Sequence, residues 1–144
     1  MKKTIFNLIT VAVIFLAVSC GKHKEATEEM TEWAAMDDFH MIMAESYHPY
    51  KDSANIAPAI ANAAIMAEAA DKWAGEQLPE KVNNDDVKGY LAQLKQTTAD
   101  FVVVASSGDT VQIQNMLTQL HDDFHKIQQA WYEPGKEGSH EHEH

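Results

Sequence analysis

Four stretches of this chain carry apolar residues at alternating steps of three and four, and that spacing limits its possible folds more than any other feature. The first runs from about Thr27 to Tyr47, with inward positions at Trp33, Met36, His40, Met43 and Tyr47, and Pro49 is expected to stop it. The second starts near Asn55, takes Pro58 in its first turn and ends at Gly75, with a stripe of Ile56, Ile60, Ala63, Ala67, Ala70 and Ala74. The third opens on Asn84, sets Asp85 and Asp86 at the positive end of its dipole, and closes at Ser106-Ser107-Gly108. Its stripe is Val87, Leu91, Leu94, Thr98, Phe101 and Ala105. The fourth begins with Asp109 and Gln112 spaced as a capping box, and Pro134-Gly135 closes it. It turns Ile113, Leu117, Leu120, Phe124, Ile127 and Trp131 inward. No stretch shows a strand pattern. Four helices of about twenty residues joined by short loops fold most simply as an all-α, antiparallel up-down-up-down four-helix bundle.

Upstream of the helices, Lys2 and Lys3 precede an apolar run from Ile5 to Val18, which closes on Ala17-Val18-Ser19-Cys20-Gly21. This is the layout of a secretory signal, and its apolar core is short for a membrane span. Small residues just before a cysteine resemble the lipobox of bacterial lipoproteins, with Ala17 where the family prefers leucine. The resemblance implies cleavage before Cys20 and lipidation of its thiol, giving an exported protein anchored in a membrane at the periplasmic face or cell surface. Cys20 is the sole cysteine, so no disulfide partner competes for it within the chain. The chain thus divides into a signal peptide at 1–19, a polar tether at 20–28, the bundle at 29–134 and a His/Glu-rich tail at 135–144.

Past the signal the chain carries nine lysines, no arginine and 22 acidic residues, a formal charge of −13. Such a surface repels phosphate backbones, and without arginine there is no bidentate reader of phosphate or guanine. Nucleic acid is not an expected partner. An envelope protein or a second copy in a homodimer remains open.

The eight histidines are unevenly placed. His23 lies in the tether, and His140, His142 and His144 alternate with glutamates in the tail, which suits a weak metal scavenger or simply a solvated end. The other four, His40, His48, His121 and His125, fall on the first and last helices, which are neighbours in an up-down-up-down bundle. If residues whose numbers sum to about 160 share a height, His40 and His121 lie level, while His48 stands roughly two turns away. Met36 and Met43 flank His40 one turn each way, and Met116 lies near His121. The string Asp-Asp-Phe-His occurs twice, at 37–40 and 122–125. Asp37 with His40 and Asp122 with His125 have the i, i+3 spacing by which a carboxylate and an imidazole share a helix face for a metal. The expected stripes turn the first pair further inward than the second. Helices 2 and 3 offer Asn62, Ala63, Thr97 and Thr98 at that depth, which disfavours a ferritin-like di-iron carboxylate site.

The string Gln119-Leu120-His121-Asp122-Asp123-Phe124-His125-Lys126 resembles the end of helix 4 in the cytochrome c-prime and b-type four-helix-bundle cytochromes. The resemblance implies His121 as a haem ligand, or His125 if Phe124-His125 sets the register, with Met36 or Met43 as second axial ligand. No Cys-x-x-Cys-His is present, so haem attached covalently is excluded and b-type haem is the form implied. Histidine with thioether suits copper or haem iron, and histidine with carboxylate suits zinc or nickel.

No glycine-rich phosphate loop or serine elbow is present, and the expectation is a binding protein, not an enzyme. The reading reached from sequence is a transition metal (copper, zinc or nickel) or haem held between helices 1 and 4. Its ligands are to be drawn from His40, His121, His125, Met36, Met43 and Asp37. The rival class is a structural or protein-interaction lipoprotein without a cofactor.

Overall fold

The computed structural model describes residues 33–134. The signal segment 1–19, the lipidation site Cys20, the tether 20–28, the start of the first expected helix and the tail with His140, His142 and His144 lie outside the described residues. Four helices and one short 3₁₀ turn account for nearly all of the described chain, and no strand occurs among the described residues. No described helix is long and apolar enough to cross a membrane.

Helix α1 spans Ala34–Ser53 and differs from expectation at its far end, because Pro49 lies inside it rather than stopping it. Proline removes the backbone donor that would bond the Glu45 carbonyl, yet the helix runs on for one further turn, whose own carbonyls are satisfied at the C-terminus. Ser53 Oγ donates to the Pro49 carbonyl, and the Ala54 and Asn55 amides donate to the carbonyls of Tyr50 and Pro49. These bonds close the helix in the manner of a Schellman motif, with Ala54 in the left-handed region at φ 54°.

Helix α2 spans Ala57–Gly75, with Pro58 in its first turn as the sequence indicates. After a 3₁₀ turn at Glu80–Val82, helix α3 spans Asp85–Ala105, and the Asn84 side chain accepts the Val87 amide at 2.9 Å. Gly108, at φ 75°, makes the tight passage into helix α4, Thr110–Tyr132. The Asp109 side chain caps α4 by accepting the amides of Val111 and Gln112, both at 3.1 Å.

The core stripes of α3 and α4 follow the sequence reading residue for residue: all six expected positions on each are buried. Those of α1 and α2 are rotated by about one position. On α1 the buried residues are Met36, Phe39, Met43 and Ser46, so Phe39 and Ser46 take the places expected for His40 and Tyr47. A step of three or of four from Met36 fits a helix equally well. Burying a phenylalanine removes far more apolar surface from water than burying an imidazole. On α2 the inward set is Ala59, Ala63, Met66, Ala70 and Trp73, which brings in Met66 and Trp73 and leaves Ile60 40% exposed.

Each helix packs on the next in the chain, and α1 packs on α4. Three tryptophans gather where α1 begins: Trp33 meets Trp73 of α2 edge-on at 5.0 Å between ring centroids and Trp131 of α4 at 5.4 Å. Lys81 Nζ sits 3.1 Å over the Trp131 ring and covers this cluster. Further along, Phe39 packs against both Trp73 and Phe124. Asn62 of α2 donates to Ser46 Oγ of α1 at 3.1 Å, satisfying a buried hydroxyl.

Candidate metal centre

The chemistry gathers at the seam between α1 and α4. Phe124, buried and in contact with Phe39, fixes the rotation of α4 and so decides where its neighbours point. His121 and His125 then stand one turn apart on the flank of that helix, at the i, i+4 spacing that brings two side chains together. Their Nε2 atoms are 3.0 Å apart. From α1, the Tyr47 ring lies flat against His121, with centroids 3.9 Å apart and planes 13° from parallel. His40 lies flat against Phe124 at 5.3 Å.

These side chains line a cleft of about 160 Å³ together with His48, Met43 and the small Ala44. Four imidazoles therefore open on one space. Among the described residues, no three His, Cys, Asp or Glu side chains are gathered closely enough to hold an ion as they stand. The His121 and His125 Nε2 atoms are within hydrogen-bond distance of each other.

Burial depresses the pKa of His121 below its usual 6.5, and the neighbouring His125 pushes it further the same way; Asp122 opposes the shift. The neutral ring is thus favoured. Its Nδ1 is buried without a hydrogen-bond partner, since Asp122 Oδ1, at 3.6 Å, is too far for a hydrogen bond.

The residues singled out by sequence divide into two groups. His40, Met43, His121 and His125 all line the cleft. Met36 is buried in the core away from it, and Asp37 is exposed in the first turn of α1. The expected height rule is displaced. Contacts pair Trp33 with Trp131, His40 with Phe124 and Tyr47 with His121, so paired numbers sum to about 164 or more, not 160. A shift of four is about one turn, ~6 Å at 1.5 Å per residue. His40 therefore lies level with Phe124, one turn from its expected partner, and its ring is exposed, not on the core stripe.

The same displacement carries His48 into the cleft, against the expectation that it stands apart. The signal for it was present: His40, Ala44 and His48 recur every four residues, with the smallest side chain in the middle.

Asp123 was not singled out and is buried. Thr97 Oγ1 lies 3.1 Å from its Oδ2, and Lys126 Nζ lies 2.9 Å from its Oδ1. It follows Leu120 by three and precedes Ile127 by four, which is a core spacing. No family model, curated protein or solved structure matches this chain.

Proposed function

We propose that residues 33–134 form an antiparallel up-down-up-down bundle that binds one transition-metal ion in the α1–α4 cleft. In this reading the Nε2 atoms of His121 and His125 are the anchoring ligands, and His40 or His48 completes the set by side-chain rotation. The protein is a binder, not an enzyme, and its N-terminal segment exports it and tethers it by lipid at Cys20.

The observation that carries the metal reading is the imidazole pair. Two histidines at i, i+4 on one helix face are a recurring way to hold zinc. With metal–nitrogen bonds of ~2.0–2.1 Å, nitrogens 3.0 Å apart subtend about 90–97° at a shared ion, an angle open to two neighbouring ligands. The unpartnered Nδ1 of His121 adds support. Binding at Nε2 requires the proton on Nδ1, and a ligating histidine usually gives that proton to a carboxylate. Asp122 is 3.6 Å away and needs only a small turn to accept it. The depressed pKa of His121 keeps the ring in the form that ligates.

The antiparallel arrangement draws its support from the ring contacts, in which rising numbers on α1 meet falling numbers on α4. Haem is less well supported than an ion, because the cleft volume is below the ~300–1,000 Å³ usual for small-molecule pockets. The export and lipid steps rest on the sequence of residues 1–21 alone.

The test is calorimetric titration of the whole chain with copper and zinc after His23, His140, His142 and His144 are changed to Gln. One ion per chain, bound tighter than ~10 μM and lost in His121→Ala, is expected. Failure to bind at that level would return the cleft histidines to a structural role. The interaction reading would then gain from the exposed Met41, Ile65 and Val103.

A further inference from the structure

We propose that the ion is copper, and that the thioether of Met43 is the group that favours it over zinc; this rests on the metal reading above. The residues lining the cleft include four histidines, one methionine and Tyr47, and no carboxylate or thiolate residue is among them. Zinc sites draw on thiolate, imidazole and carboxylate. A thioether adds little for zinc and selects Cu(I), while imidazole serves both copper states and the general affinity order places Cu(II) above Zn(II). The imidazoles would serve either ion, so the thioether is the donor that matches the set to copper over zinc.

Met43 differs from the other methionines near the seam. Met41 points to solvent, and Met36 is buried away from the cleft. Met43 alone of the three is both buried and part of the wall that His121 and His125 face. It is also held in place by the core, so little side-chain freedom would be lost on ligation by its sulfur. Its commonest other role, filling a gap between helices, predicts no metal dependence at all. Leucine has nearly the same volume, and the Met43→Leu change separates the two roles with little disturbance of packing.

The experiment uses the whole chain carrying Cys20→Ser and Gln at His23, His140, His142 and His144, so that no other sulfur anion or loose imidazole competes. Cu(I), kept reduced by ascorbate without air, is titrated against a chromophoric Cu(I) chelator, and Zn(II) is titrated separately. Wild-type cleft residues are expected to hold Cu(I) in a one-to-one complex and more tightly than Zn(II). Met43→Leu is expected to lower Cu(I) affinity by about tenfold or more and to leave Zn(II) affinity within about threefold. Helical circular dichroism of the variant checks that it has folded.

Copper K-edge X-ray absorption of the Cu(I) complex gives a second readout that needs no Met43 variant, and a sulfur neighbour in the first coordination shell is expected. Zinc bound as tightly as Cu(I), unchanged Cu(I) affinity in Met43→Leu, or a shell of nitrogen alone would overturn the copper assignment while leaving a metal site standing. Absence of binding by either ion would instead remove the metal reading itself.

Discussion

The string Asp-Asp-Phe-His occurs at 37–40 on α1 and at 122–125 on α4, and the two copies face each other across one seam with different results. In both, phenylalanine is the inward residue and histidine is exposed, so the copies share a rotation that the expected stripes had denied them. Phe39 and Phe124 meet at 5.7 Å. The second residue separates them. Asp38 is exposed, whereas Asp123 is buried beside Thr97 and Lys126. So does the position four residues before the histidine: Met36 precedes His40, and His121 precedes His125. Only α4 therefore carries an imidazole pair. An identical four-residue string acquires its role from the residues one turn away and from the helix it meets.

The largest effects should come where the copies agree. Phe39→Ala and Phe124→Ala each truncate a fully buried ring, and each is expected to destabilise the fold by about 3–5 kcal/mol in urea unfolding. A near-neutral result for one of them would break the equivalence of the two phenylalanines.

The aspartates should then part. Asp123→Ala removes the buried acceptor of Lys126 and Thr97, of which Thr97 keeps its bond to the Gln93 carbonyl, and is expected to cost about 1–3 kcal/mol. Asp38→Ala, at an exposed position, should stay within about 0.5 kcal/mol. Equal costs measured by the same unfolding curves would mean that burial of Asp123 contributes nothing specific.

A smaller effect is expected from pH. The folded pKa of His121 lies below its unfolded value of ~6.5, so between the two the unfolded chain binds more protons. Stability should therefore fall as pH drops from about 6.5 through the folded pKa, and level off below it. His121→Gln should flatten that slope. An unchanged pH profile in the variant would show that burial of this ring does not carry the proton linkage.

How much of this was legible in the sequence depends on the helix. On α3 and α4 the leucines and phenylalanines fall at core spacing, so Leu91, Leu94, Phe101, Leu117 and Phe124 set one inward face even where Val102, Val103 and Val104 adjoin it. On α1 the apolar residues crowd: Trp33, Met36, Phe39, Met41, Ile42 and Met43 permit two adjacent stripes, and only packing against Trp73 and Phe124 selects Phe39. On α2 the many alanines carry too little surface to fix a rotation, which Trp73 and Met66 decide from one side. The concentration of cleft histidines on α1 and α4 was readable because it needs only helix order. Their exact heights were not, since a turn's error in where α1 meets α4 exchanges one partner for another. That error is why His48 was set aside and why His40 was aligned with His121.

The central claim is that the α4 copy of the string, with His121, anchors an ion, and that the α1 copy contributes less. It is tested most directly by zinc and copper titration of the whole chain with Gln at His23, His140, His142 and His144, comparing His121→Ala, His125→Ala, His40→Ala and His48→Ala. The account predicts that losing either member of the pair lowers affinity by about a hundredfold or more, with the double change adding little, because a two-ligand anchor fails when one ligand goes. Losing His40 or His48 singly should cost about tenfold or less, since each can substitute for the other as the completing ligand. Equal losses at all four positions, or a larger loss at His40 than at His125, would contradict it.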